Sequence, residues 1–194
     1  MPSPAKGVFD HLDSEIGKVF VLADAERVAG NLDALPTLYR CCIVLTVASF
    51  DSYMHEQGNR LLFARGQLGG ADAVAVGGYL SASAADISGP YGQGYVRLGL
   101  SVKTLVDPNK VDALLTAADL DAPDIWLKTA IALGERPDRL RRKLQLQYDR
   151  RNDIAHAGDW DSAALAQRAC TETHALDCRK CIQDIVSEID GVIP

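Results

Sequence analysis

Residues 140–158 read LRRKLQLQYDRRNDIAHAG, and this stretch decides the fold class. Leu140, Leu144 and Tyr148 recur every fourth position, which places them on one face of a helix. The positions between them are mostly charged or amide-bearing, so the spacing predicts an amphipathic helix that begins near Pro137 and runs toward Arg151. Around this helix the chain repeats the same grammar. Phe9, Leu12, Ile16, Val19 and Phe20 predict a helix over 8–29. A turn follows at Gly30-Asn31, and Pro36 stands where a first helical position belongs. Tyr39, Cys42, Ile43, Thr46, Val47, Phe50, Tyr53 and Met54 make a continuous apolar stripe over 37–64, the expected central core helix.

Downstream, Asp107-Pro108 predicts a capped helix to about 118, and Asp121 to Pro123 a second one ending at Gly134. Asp161-Ser162 reads as the cap of a long final helix to about 190, with Leu165, Ile182, Ile185 and Ile189 toward the core. The segment 66–101 differs. It holds nine of the sixteen glycines, with Gly58 just upstream, and is otherwise rich in alanine and serine. It reads as loops with one or two short helices, inserted between core helices. Its Gly-Pro-Tyr-Gly-Gln-Gly run, 89–94, lacks the Gly-Lys-Ser/Thr ending of a phosphate loop. No strand alternation or repeat is visible, so the expectation is one all-α domain spanning 1–194.

The chain has 194 residues, 47% apolar and 24% charged, with a net charge of -6. An acidic protein does not coat nucleic acid through bulk charge, so any RNA contact has to be local. The candidate patch lies between 136 and 151. Seven cations (Arg136, Arg139, Arg141, Arg142, Lys143, Arg150 and Arg151) face only Asp138 and Asp149, a local charge of +5 that leaves -11 for the rest. The first residues lack the apolar core of a signal peptide, the apolar run from Cys41 to Phe50 is too short to span a bilayer, and the five cysteines are odd in number. These features fit a cytoplasmic protein without a disulfide framework.

Arg151, Asn152, Asp153 and His156 bring a cation, an amide, a carboxylate and an imidazole within two helical turns. RNA cleavage needs a proton taken from a 2′-OH, a proton delivered to the leaving 5′-oxygen, and a cation at the phosphorane. Histidine exchanges protons near neutral pH, and arginine grips phosphate oxygens. No metal or other cofactor is needed. A single histidine covers half of the acid–base work, and a symmetric dimer would bring two. The same residues also read as an ordinary helix end, with His156 near the C-terminus and Arg151 paired to Asp149 or Asp153.

The run Arg151-Asn152-Asp153-Ile154-Ala155-His156, followed by a small residue and Gly158, resembles the Arg-x4-6-His motif of HEPN domains, in particular the RiboL-PSP-HEPN group. The stretch from Tyr39 to Tyr53, with Asp51 followed by Ser52 and an aromatic, resembles that family's early core helix. The likeness covers roughly 37–64 and 138–190. It implies a helical bundle that forms a homodimer with two motifs facing across a cleft, and it implies metal-independent endoribonuclease activity, as in toxins and antiviral effectors. Arg151 and His156 would then be catalytic. Asn152 and Asp153 would orient the site, Asp51 would hold Arg151 or line the cleft, and Arg142, Lys143 and Arg150 would bind RNA. An antitoxin of nucleotidyltransferase type is an expected partner. Some members of the family do not cleave, which leaves a nucleotide-, RNA- or protein-binding module as the alternative. Nothing in the family matches 66–101.

Three weaker features complete the reading. Cys170, His174, Cys178 and Cys181 have metal-ligand chemistry, but on one straight helix they cannot surround zinc, so a core face is expected. Asp51 and His55 lie one turn apart, as a second proton-transfer pair or a plain hydrogen bond. Trp126 reads as packing, and Trp160 as packing or as a platform for a base.

Overall fold

In the computed structural model, which describes residues 2–194, Ser3 is extended and its hydroxyl accepts the Lys6 amide, opening α1 (Pro4–Ala29) four residues earlier than the apolar spacing predicts. Gly30, at φ 81, ends it in the left-handed conformation that glycine adopts without strain. A single 3₁₀ turn, Leu32–Ala34, leads into α2 (Leu35–Gly66), with Pro36 in its first turn.

The stripe expected on α2 is the centre of the molecule. Tyr39, Cys42, Ile43, Thr46, Val47, Phe50, Tyr53 and Met54 are all buried. Phe50 and Phe9 both pack against the ring of Tyr53, the latter edge-on. Segment Leu32–Gly66 contains an 18-residue stretch of mean hydropathy 1.3, long and apolar enough for a membrane span. Here its apolar residues are spent on α1 and the helices that follow.

The glycine-rich segment is helical, which corrects the expectation of loops with one or two short helices. It forms α3 (Gly70–Leu80), α4 (Ala84–Ser88) and α5 (Gly92–Ser101). Val76, Leu80, Ile87, Val96 and Leu100 join the same core as α2. Gly69 and Gly70 take the left-handed turn before α3, whereas Gly66, Gly77, Gly89, Gly92 and Gly99 allow close approach. A Cβ on Gly66 would sit 2.4 Å from Ile87 Cγ2, and one on Gly92 would sit 2.0 Å from the Ile87 carbonyl oxygen. Composition alone cannot separate a flexible loop from helices packed backbone to backbone.

The next elements follow their caps. Asp107 opens α6 (Pro108–Ala117) and Asp121 opens α7 (Ala122–Ala132), each carboxylate accepting an amide of the first turn. α8 (Pro137–Ala157) buries Leu140 and Leu144 and continues six residues past Arg151.

Beyond α8 the expectation fails again. Asp161 does not cap the last helix. It accepts the amides of Ala163 and Ala164, which closes a small hairpin of β1 (Trp160–Asp161) and β2 (Ala166–Gln167), paired antiparallel. The last helix, α9 (Glu172–Val192), starts at a reciprocal cap between Thr171 and His174. Leu165, expected in the core, is 74% exposed in the hairpin loop, whereas Ile182, Ile185 and Ile189 are fully buried. Nine α-helices and one two-stranded ribbon, among the described residues, make the protein all-α.

Candidate functional site

The solvent end of α8 carries the motif. α8 stays helical through Ala157 and stops at Gly158, at φ 61. Asn152 and His156, four residues apart, therefore share a face, about 40° apart around the axis. His156 is exposed in the last turn, and Asn152 is half-buried. Arg151 lies about 140° from His156 around the axis and about 7.5 Å along it. One chain thus holds the two residues on different sides of the helix. Arg151 donates to Asn152 Oδ1 at 3.0 Å, and no carboxylate lies within 4.0 Å of its guanidinium among the described residues.

The basic strip is less cationic than its composition. Arg136 pairs with Asp138, Arg141 with Asp112 at 2.6 Å, and Lys143 with Glu135. Arg150, expected to bind RNA, turns inward, and its guanidinium meets the fully buried carboxylate of Asp159 at 2.8 Å. Arg40 of α2 reaches the same carboxylate at 2.9 Å and also donates to the Arg168 carbonyl. Lys143, the second expected RNA contact, is exposed but carries its own counter-ion. Arg139, Arg142 and Arg151 are left without an ion-pair partner among the described residues, and Arg139 and Arg142 are exposed.

Asp153 is paired with Arg168, which leads from the hairpin into α9. Asp51 has a different employment from the one expected. It does not meet Arg151. Its Oδ1 accepts the Leu105 amide at 2.7 Å and so fastens the segment between α5 and α6 to α2. His55, one turn on, has Nδ1 2.8 Å from the Asp51 carbonyl and Nε2 3.1 Å from the Leu100 carbonyl. Both neighbours are acceptors, so the ring ties α2 to α5.

Cys170 and Cys178 are core residues, and Cys181 is half-buried against the core. Cys170 precedes α9 and does not share its face, which corrects the four-residue stripe. Cys178 is buried in the core cluster, and burial pushes its thiol far above the usual range. His174 is exposed and takes part in the cap of α9. Among the described residues, no group of three His, Cys, Asp or Glu side chains is arranged to hold a metal. Trp126 is buried and donates to Asp112, while Trp160 is 51% exposed in the hairpin beside the motif.

Arg40, Asp159 and Arg168 fix the end of α8 without any motif that marks them in the sequence. Nor does the sequence mark a cleft of about 470 Å3 beside Tyr148, lined by Tyr79, Lys103, Thr104, Asp107 and Lys110 among others. Two lysines flanking the Asp107-Pro108 cap were its only visible trace. No family model matches the chain, and no curated protein or solved structure matches it significantly.

Proposed function

We propose that this chain is a HEPN-like endoribonuclease that works as a homodimer and cuts RNA by 2′-OH attack, without a metal, leaving a 2′,3′-cyclic phosphate. The observation that carries this reading is the state of the motif on α8. Arg151 has no carboxylate partner within 4.0 Å among the described residues, and His156 is exposed on the same helix end. A cation left without a counter-ion beside an accessible imidazole suits phosphate binding and proton transfer. The 140° between them argues for a site composed from two copies, with the arginine of one motif serving the histidine of the other. Asn152 then orients Arg151, Arg142 contacts RNA, and Asp153 holds the hairpin against the motif helix.

The test is cleavage of single-stranded RNA by the purified chain in EDTA. His156→Ala and Arg151→Ala each lower the rate by about 10²–10⁴-fold while the helical signal and the unfolding midpoint stay unchanged. Growth arrest on expression, relieved by the same variants and by a nucleotidyltransferase-type antitoxin, is the cellular counterpart. Absence of cleavage, with both variants behaving as the parent, would refute the reading. The neutralisation of Arg136, Arg141, Lys143 and Arg150 favours one other reading, a binding module of the same fold, which would bind RNA saturably without turnover.

A further inference from the structure

We propose that the cleft formed by the glycine-rich segment, α6 and Tyr148 is a nucleotide-binding subsite, with a phosphate held between Lys103 and Lys110 and a base laid against the ring of Tyr148. The assignment of binding rests on the cleft's own residues. Its role as a substrate subsite rests on the ribonuclease reading above.

The cleft has about 470 Å3 and brings together chemistry from four parts of the chain. Tyr79 comes from α3, Lys103 and Thr104 from the link after α5, Lys110 from α6, and Tyr148 from α8. Neither lysine has a carboxylate within 4.0 Å among the described residues. Lys103 instead rests over the Tyr79 ring, 4.5 Å from its centroid, a contact that holds the ammonium at the cleft without neutralising it. The one carboxylate in the lining, Asp107, is occupied as the cap of α6 and accepts the Asn109 amide at 2.8 Å. Two unneutralised cations, the Thr104 hydroxyl and a half-buried aromatic ring fit a phosphate ester joined to a flat apolar base. A carboxylate metabolite or an apolar ligand would leave half of these groups unused.

The cleft also stands in line with the motif. Tyr148, Asn152 and His156 follow one another at four-residue intervals, a single row along α8. From the first to the last is about 12 Å along the axis, so a strand seated on Tyr148 would run toward His156. The link that carries Lys103 and Thr104 is pinned to α2 where Asp51 accepts the Leu105 amide. On this account Asp51 serves the site from a distance, as a positioning residue.

The experiment is calorimetric titration of the full chain with uridine 3′-monophosphate, uridine and inorganic phosphate. The nucleotide is expected to bind saturably, and more tightly than either part alone by about tenfold or more. Lys103→Glu and Lys110→Glu each weaken it by about tenfold. Lys103→Gln and Lys110→Gln do so in part, as a control for folding. Tyr148→Leu weakens the nucleotide and leaves phosphate unchanged. A parent chain that binds the nucleotide but cleaves no RNA sinks the ribonuclease reading and leaves the cleft standing. In an active chain, Lys110→Glu raises KM with kcat unchanged. No saturable binding, equal affinity for phosphate and nucleotide, or indifference to both charge reversals would overturn the proposal.

Discussion

Arg150 and Asp159 stand 2.8 Å apart across the turn that ends α8, and the Asp159 side chain is fully buried. The pair explains the course of the chain after the motif. Gly158 and Asp159 both take the left-handed conformation, at φ 61 and φ 64. That double turn swings the carboxylate under Arg150 and Arg40. Aspartate tolerates such a backbone better than most non-glycine residues, and here two guanidinium groups hold its side chain in place.

Asp159→Ala should therefore destabilise the protein by about 3–5 kcal/mol, because it leaves two cations facing a site without charge. Urea unfolding followed by circular dichroism measures this. If the pair acts on the motif only through folding, the variant loses cleavage no faster than it loses helix.

The glycines of 66–101 give a prediction with opposite signs. Gly92→Ala drives a methyl into the Ile87 carbonyl and should cost about 1–3 kcal/mol or more. Gly78, in the same segment and within α3, has nothing within 4 Å of its missing Cβ. Gly78→Ala should stabilise by about 0.5–1 kcal/mol through helix propensity. Paired denaturation curves would decide it, and equal effects at the two positions would refute the packing account.

Asp13 links α1 to α9 through Arg179, at 2.7 and 2.8 Å, and through Gln183 at 2.8 Å. Burial pushes the Asp13 carboxyl up, but the hydrogen bonds from Arg179 and Gln183 outweigh it and hold the group below its ordinary value of 3.8. A carboxyl lowered by folding adds stability that is complete above its unfolded value and fades as pH falls through its folded value. Asp13→Asn should be less stable than the parent at pH 7 by about 1–3 kcal/mol. The gap should narrow below about pH 4. Unfolding midpoints at pH 7, 4 and 3 test the sign.

The proposed two-copy site makes a complementation prediction. Arg151→Ala and His156→Ala chains should each be nearly inactive alone, and mixing them should give heterodimers in which one of the two sites is whole. Cleavage should return to a fraction of the parent's rate after the two chains are unfolded and refolded together. Continued silence of a mixture shown to contain heterodimers would place each arginine with the histidine of its own chain.

The thiols should sort by exposure. Cys41 is exposed, whereas Cys42 is buried and its thiol is pushed up to about 11, mainly by burial. Cys181 is likewise pushed up to about 11 by burial, despite the lowering influence of Lys143. A maleimide at pH 7 should label Cys41 first, and Cys42, Cys178 and Cys181 only as the chain unfolds. Mass spectrometry of the labelled peptides reads the order.

Much of this protein was legible in its sequence, because helix formation is a local matter of spacing and caps. The stripe from Tyr39 to Met54, the caps at Asp107 and Asp121, and the face of Leu140 and Leu144 each follow from residues within a few turns of one another. The tertiary structure decided what those local rules leave open. Gly66 and Gly92 read as loop formers until Ile87 is seen packed against them. Asp161 reads as a helix cap until Asp159 draws the chain under Arg40, 119 residues away. Composition gave a strip of seven cations, and the fold sets carboxylates against four of them, one of which, Asp112, comes from a separate helix. The cleft that joins Tyr79, Lys103 and Tyr148 depends on contacts between segments far apart in the chain, where spacing along the sequence carries no information.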